Sequence, residues 1–517
     1  MSESRVKKSL LNAKVNILFY FFSIAVAFYS RKIFLEFLGA DFLGLTATLG
    51  NILNYLNMAE LGIGTAISFN LYKPLQNKNR EKLIEMMSLF RYLYFKIGVY
   101  ISIGAVLISL LFPLIFGNTG FEYGLIYYAF FSLLFSSIIG YFVNYKTTFL
   151  YADQKGYQII KYTETTRILT TLIQMVLLYK TRNLYLFLTI NILLTILNSY
   201  IINWKIDKEY PWLKPKINSG KELKNKFREV FTSIRQVFIH KSKDLVIYHS
   251  DDIFIYAFES LKMIAYYANY TLVATRIMQL FSSTFDSLYA GVGNLVSEGD
   301  IDNIKKVFWE MMVIRYYISG VVVFSMYHLI TPFITLWIGE KYLLDQTILI
   351  LILLNVFITQ SRGTVDMFNN AYGHYRDVWA AWTESAITIS VTLICGYFYG
   401  LAGILIGKLI GLFLIIVLWK PIYLFREGFQ TPILAYWKGT LKYYMSFLIS
   451  IMIVGNLIPY IHINPNLNFF SWILYCTIIS SGFSFIYGVM MFLISKESKD
   501  VLLRVPFIRN FLNGNTT

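Results

Sequence analysis

The chain has 517 residues, of which 56% are hydrophobic, 18% aromatic and only 15% charged. Soluble domains carry about 25% charged residues. No soluble core of this size could bury so much apolar side chain, so a soluble enzyme, a disordered chain and a disulfide scaffold are excluded. The composition reads as an all-α polytopic membrane protein. The net charge of +16 fits Lys and Arg retained on cytoplasmic loops, with no nucleic acid required. Cys395 and Cys476 both fall in apolar runs and offer no disulfide framework or metal-ligand spacing.

A spanning helix needs about 20 apolar residues. Runs of that kind predict fourteen spans: 15–38, 42–71, 91–116, 122–150, 157–179, 183–204, 243–261, 264–296, 308–333, 345–371, 378–399, 402–424, 439–461 and 468–494. The second, fourth and eighth are long enough to imply tilt or protrusion. The first lacks a small-residue cleavage site and reads as a retained helix. With a cytoplasmic N-terminus, the inner segments hold 32 Lys and Arg and the outer loops hold 4. That asymmetry places both termini inside. The outer loops are short and leave no room for an outer catalytic domain.

The one sizeable inner segment is 205–242. Ser219 and Glu222 have capping-box spacing there. Leu223, Phe227, Val230, Phe231, Ile234 and Phe238 follow at helical spacing, with lysines and arginines on other faces. This predicts an amphipathic helix on the inner leaflet, either a linker between two moving halves or a passive surface helix.

The first twelve spans read as two copies of six. RKIF (31–34) matches DDIF (251–254), and EKLIEMMSLFRYLYF (81–95) matches KKVFWEMMVIRYYIS (305–319). Pro113 matches Pro332, YTETTRILTTLI (162–173) matches WTESAITISVTLI (382–394), and NWK (203–205) matches LWK (418–420). Copies with an even number of spans share one orientation, which makes a parallel repeat. The expected organisation is an N-terminal lobe (1–204), the linker (205–242), a C-terminal lobe (243–425) and two added helices with a tail (426–517). Two such lobes leave a central cavity suited to alternating access.

At this point the residues become familiar. RKIFLEFLGADFLGL (31–45), AELGIGTAISFNLYKPL (59–75), YYANYTLV (266–273) and GVGNLVSEG (291–299), with the six-plus-six plan, carry a resemblance. The chain resembles the oligosaccharide-lipid and polysaccharide flippases of the multidrug/oligosaccharidyl-lipid/polysaccharide superfamily, in particular the O-antigen and capsule branch. The resemblance implies movement of an undecaprenyl-diphosphate-linked oligosaccharide from the inner to the outer leaflet of a bacterial inner membrane. It implies membrane lipids as partners, together with polysaccharide polymerase and assembly proteins. No cofactor is expected.

A diphosphate carries about two negative charges, and a sugar chain cannot cross hydrocarbon unaided. The cavity must therefore be polar and preferably cationic. Charge within a span is costly and faces a cavity or a partner. Ten basic residues lie within the predicted spans, apart from Lys161, Lys243, Lys420 and Lys442 at inner span ends, which count with the inner segments. Arg91, Lys96, Lys146 and Arg315 lie near the inner surface and are expected to snorkel there. Arg31 lies eight residues before Gly39, about 12 Å deep at 1.5 Å per residue, so snorkelling is hard for Arg31 and Lys32. The repeat places Asp251 and Asp252 at the matching depth. The expectation is that Arg31 binds phosphate, while the aspartates pair with Arg31 and Lys32 or bind a coupling H⁺ or Na⁺. A static ion pair is the structural alternative. Glu60, Arg276 and Asp286 are second-rank cavity residues.

Glu164 and Glu384 read as helix-end residues. The glycines at 62, 64, 291 and 293 read as close-packing positions. Asp300 and Asp302 read as helix capping rather than a metal–nucleotide motif. Tyr266, Tyr267 and Tyr270 are candidates for sugar stacking. Two other functions stay open: a drug/cation antiporter on the same fold, which the basic pair disfavours, and a membrane O-antigen polymerase or ligase, which the short outer loops disfavour.

Overall fold

The computed structural model describes residues 5–60, 63–217, 220–227, 230–231, 234, 238, 250–286, 288–373 and 378–503. All regular elements among the described residues are helical. The chain divides into two compact units, 1–265 and 266–517, and each is described by itself.

The first unit opens with α1 (Arg5–Phe37) and α2 (Ala40–Leu56). Gly39 joins them at φ 81°, a left-handed backbone that favours glycine, and the helix axis turns by 117° there. A 3₁₀ turn (Asn57–Glu60) follows α2, and α3 (Ile63–Gln76) continues beyond it. Asn79 caps α4 (Arg80–Ser109), its side chain accepting from the Lys82 amide at 3.0 Å. Next come α5 (Tyr123–Phe142), α6 (Tyr157–Thr181), α7 (Leu184–Glu209), α8 (Gly220–Lys226) and α9 (Asp251–Phe258). Helix α1 packs on α6, α6 on α7, and α5 on α7, α4 and α2. Phe42 of α2 is fully buried and meets Phe121 and Phe187 edge-on. Gly44 lies where a Cβ would come within 1.9 Å of the Leu261 carbonyl oxygen, so only glycine allows that approach.

Helix α10 (Leu261–Asp286) carries the chain from one unit into the other. The second unit continues with α11 (Tyr289–Glu298), α12 (Ile301–Ile338), α13 (Gln346–Ser361) and α14 (Gly363–Ala371). Helix α15 (Val378–Gly411) is broken at Gly400, φ 54°. Then come α16 (Leu434–Leu457), α17 (Phe469–Ile494) and α18 (Lys496–Leu503). The two added C-terminal helices pack on α12. Their core is aromatic: Phe324 stacks on Phe483 at 3.8 Å, and Tyr487 stacks on Tyr317. Gly320 makes room for Tyr487, whose ring would lie 2.6 Å from an added Cβ.

Eight described helices are long and apolar enough to cross a membrane by length and composition, or nine with the bent α1–α2 pair. The remaining expected spans are present as more polar, shorter or interrupted helices. The three long spans are not simply tilted or protruding. The second breaks at Asn57–Glu60, the fourth at Val143 before a short turn, and the eighth after Asp286.

Other expectations separate in the same way. Asp300 does cap a helix, accepting from the Asn303 amide at 3.2 Å. A Cβ at Gly291 or Gly293 would meet nothing within 4 Å, so these glycines are not packing positions, whereas Gly64 lies against the Tyr94 hydroxyl. Ser219 of the expected capping box and Gly62 lie outside the described residues. The apolar stripe of the linker packs on protein as well: Val230 is buried, and α8 lies against α4, tied by a Lys226–Glu85 bridge at 2.6 Å.

Candidate functional site

One face of α2 carries an amide every third residue: Asn51, Asn54 and Asn57. The change to a 3₁₀ turn at Asn57 keeps the period at three, because i and i+3 eclipse in that helix. Glu60 is therefore the fourth member of the row. The row spans about 15 Å, at 1.5 Å per residue through α2 and 2.0 Å through the 3₁₀ turn.

Each member has a partner. Asn51 donates from Nδ2 to Asp252 Oδ2 at 2.6 Å, and Asn54 Nδ2 donates to Asn51 Oδ1 at 3.2 Å. Tyr55, beside the row, lies within side-chain hydrogen-bonding reach of Ser250 and near the Asp251 carboxylate. Asn57 Oδ1 accepts from Ser137 at 3.2 Å and from the Tyr141 hydroxyl at 3.0 Å. Tyr141 also reaches Glu60 Oε2 at 3.1 Å, and the Tyr94 hydroxyl donates to the other carboxylate oxygen. Gly64 leaves space for that contact, since a Cβ there would stand 3.1 Å from the Tyr94 oxygen. Two phenol donors converging on one carboxylate make a charge-assisted cluster. Two acids thus meet these residues: Asp252 through Asn51, and Glu60 through the Tyr141 hydroxyl that it shares with Asn57.

The structure places the other expected residues as follows. Arg31 is half-buried and donates from Nη2 to the Ala265 carbonyl at 3.1 Å, while Lys32 is exposed. Asp251 is buried at the first turn of α9, which packs on α2 in the first unit. Arg276 lies in the second unit and hydrogen-bonds Gln279 of its own helix at 3.4 Å. Asp286 ends α10, and its side chain is outside the described ones. Asp252 and Glu60 thus contact the row, with Asp251 beside Tyr55. Arg276 belongs to a separate local contact.

The snorkelling expectation is corrected for Arg315. Arg315 is buried, with its guanidinium carbon 4.0 Å from the centre of the Phe285 ring and Nη1 3.4 Å from the Gln360 carbonyl. Gly363 lies against it, where an added Cβ would stand 2.3 Å from Nη1 and push the guanidinium aside. Its repeat partner Arg91 donates to the Pro215 carbonyl at 2.8 Å. In both, a backbone carbonyl accepts from one guanidinium nitrogen. Lys146 pairs with Asp207 at 2.6 Å, and Lys96 is exposed beside the Tyr92 ring. Glu164 pairs with Arg167 on its own helix, whereas Glu384 is fully buried within α15. Tyr270 is fully buried and its hydroxyl accepts from the Leu344 amide at 3.0 Å, so it is a core residue and cannot stack on a sugar.

Asn51, Asn54, Asn57, Tyr94 and Tyr141 went unseen in the sequence reading. The three-residue spacing of the asparagines was the available signal. No cluster of three His, Cys, Asp or Glu suited to a metal occurs among the described residues.

No protein-family model and no curated protein sequence matches this chain. Solved structures do. A lipid II flippase, MurJ, in an inward closed conformation matches with a TM-score of 0.63 at 17% identity, over 92% of this chain and 99% of that one. An inward-facing multidrug resistance transporter of the MATE family of the MOP superfamily matches with a TM-score of 0.53 at 12% identity, over 77% of this chain and 94% of that one. The chain shares the helical fold of these two structures, and its long apolar helices make it a multi-pass membrane protein.

Proposed function

We propose that this chain is a transporter that flips an undecaprenyl-diphosphate-linked oligosaccharide, an O-antigen or capsule repeat unit, from the inner to the outer leaflet by alternating access. The observation that carries the reading is Arg31, a half-buried cation six residues before the C-terminal end of α1, in a fold shared with a lipid II flippase. A guanidinium at that depth suits a diphosphate, which it can grip with two parallel hydrogen bonds. Lys32 adds a second charge, and Arg276 and Glu60 are its supporting residues. The two six-helix lobes, the linker and the two added helices are the parts that would move. An inside-negative potential favours outward movement of negative charge by about 2.3 kcal/mol per charge per 100 mV. Asp251, Asp252 and Asp286 are the groups proposed for coupling or gating, with H⁺ or Na⁺ as the ion. A polysaccharide polymerase and its assembly proteins would receive the product.

One observation favours a second reading, a drug/cation antiporter. The acids on the polar row of α2 offer carboxylates held by neutral donors, which also suits a cation. Purified chain in liposomes separates the two. Exposure of an undecaprenyl-diphosphate oligosaccharide on the far leaflet is expected, with no extrusion of a fluorescent organic cation. Cation extrusion without lipid exposure would replace the flippase by the antiporter.

A further inference from the structure

Helices α6 and α7 enclose a groove of about 240 Å³ that the polar row does not touch. Its walls are unusual for spanning helices. On α6, Thr163, Arg167, Thr170 and Gln174 recur at helical spacing, and on α7 Asn191, Thr195 and Asn198 do the same. The opposite face of α6 carries exposed Leu169, Leu172, Ile173 and Val176, as expected toward lipid. The polar stripe costs α6 its place among the clearly apolar spans. Polarity at such expense in a spanning helix marks a functional surface.

The hydrogen bonds say what kind of ligand fits. Thr170, Thr171 and Thr195 spend their hydroxyl protons on the carbonyls of Thr166, Arg167 and Asn191, at 2.8, 3.1 and 2.7 Å. Gln174 spends an amide proton on the Phe187 carbonyl at 2.9 Å. What these groups retain is acceptor capacity: hydroxyl lone pairs and an amide oxygen. Asn198 Oδ1 is buried with no hydrogen-bond partner among the described residues. A buried oxygen without a donor costs free energy, and a turn of the Asn198 amide about χ2 would bring it to a ligand donor in the groove. Arg167, paired with Glu164 on its own helix, supplies charged donors at one end. The groove is smaller than the roughly 300–1,000 Å³ of drug-sized pockets, and its scale is that of one sugar ring.

We propose that this groove is a saccharide subsite, which takes a hydroxyl-rich sugar by accepting its O–H donors on Thr170, Thr171, Thr195, Gln174 and Asn198. This rests on the flippase reading for the source of the sugar, and it places glycan recognition on helices separate from Arg31 and its diphosphate.

The test uses the full chain in liposomes and an undecaprenyl-diphosphate tetrasaccharide with a photoreactive diazirine on its terminal sugar. Crosslinks are expected on peptides from 157–198. They should fall at least tenfold in Thr171→Val/Asn198→Leu and persist in Asn198→Asp, which keeps an acceptor. Monodispersity and melting temperature, matched to wild type, confirm that the variants fold. Crosslinks confined to other helices, or unchanged in the double variant, would overturn the subsite. So would Na⁺ alone protecting a cysteine placed in the groove while the tetrasaccharide does not, which would make it a cation site. A chain that crosslinks the sugar in the groove but flips no lipid keeps the subsite and loses the flippase. A chain that flips the lipid without groove crosslinks does the reverse.

Discussion

The segments 162–173 and 382–394 align as repeats, yet the helical hairpins they open are built in opposite ways. In the second unit the two halves of α15 press together. Gly403, Gly407 and Gly411 recur every fourth residue and face Cys395, Thr392 and Thr388. A Cβ at Gly403 would stand 1.9 Å from the Cys395 carbonyl oxygen, and Thr392 Oγ1 reaches the Ile404 carbonyl at 3.4 Å. Here small residues and threonine make a close helix contact of the kind that holds membrane helices together. In the first unit, Asn191, Thr195 and Asn198 of α7 line a groove against α6. The same threonine-rich segment therefore does not need a groove in order to fold. That difference is why the groove reads as a site rather than as loose packing.

The comparison can be broken at its closed end first. Gly403→Val forces a side chain into backbone, and overpacking costs roughly 1–3 kcal/mol even where neighbours can shift. A carbonyl oxygen cannot shift without moving its helix. We expect the melting temperature in detergent to collapse and most of the protein to aggregate. Thr195→Val, in the open hairpin, should leave folding close to wild type by the same measurement. Equal damage from both would mean that the two hairpins are packed alike.

The polar row gives the next largest effect. Tyr94→Phe removes a donor to Glu60, and hydrogen bonds to charged groups contribute about 1.5–3 kcal/mol. Glu60→Gln in the same background should recover much of the loss, because it removes the charge that the donor served. A double-mutant cycle on thermal stability reads the coupling directly. No coupling would place the carboxylate outside the row. Asn51→Leu, which strips Asp252 of a donor, is expected to cost about as much.

The smallest effect lies outside the membrane-spanning segments. Lys155 bridges Glu209 at 2.7 Å and Asp153 at 3.2 Å. Burial alone would lower its pKa, but the hydrogen bond to Glu209 and the charge of Asp153 outweigh it, and the net shift is upward. A raised pKa adds stability that is fully present below the ordinary lysine value and is lost as pH rises through the folded value. The stability gap between wild type and Lys155→Met should therefore be flat through neutral pH and close only in strong alkali. A gap that closes between pH 6 and 8 would contradict this assignment.

The sequence made some of this legible and hid the rest for identifiable reasons. Long apolar runs show as periodic composition, so the helical fold and the Asp300 cap could be read directly. Breaks could not: a hydropathy average runs through Asn57–Glu60 without registering a change of helix type. The asparagines of α2 look like isolated amides until the 3₁₀ turn aligns Glu60 with them. Arg315 reads as a cation near an interface until Gly363 and the Gln360 carbonyl come beside it. The Thr–Gly contacts of α15 were hidden because the repeat drew attention to the match at Thr383 and Glu384, while the decisive residues lie on the helix that follows. Arg31 was visible as a deep charge, but its carbonyl partner on α10 is 234 positions away.

The central claim is that this chain moves a diphosphate-linked sugar with one surface for the phosphate and another for the sugar. The most direct measurement is leaflet exposure in liposomes, under an inside-negative potential, of undecaprenyl diphosphate with and without its oligosaccharide. Wild type, Arg31→Gln and Thr171→Val/Asn198→Leu would be compared. The account predicts that wild type moves the sugar-bearing lipid, that Arg31→Gln loses both cargoes by tenfold or more, and that the groove variant loses only the sugar-bearing one. No exposure of either lipid by wild type, or equal losses in the two variants on both cargoes, would contradict it.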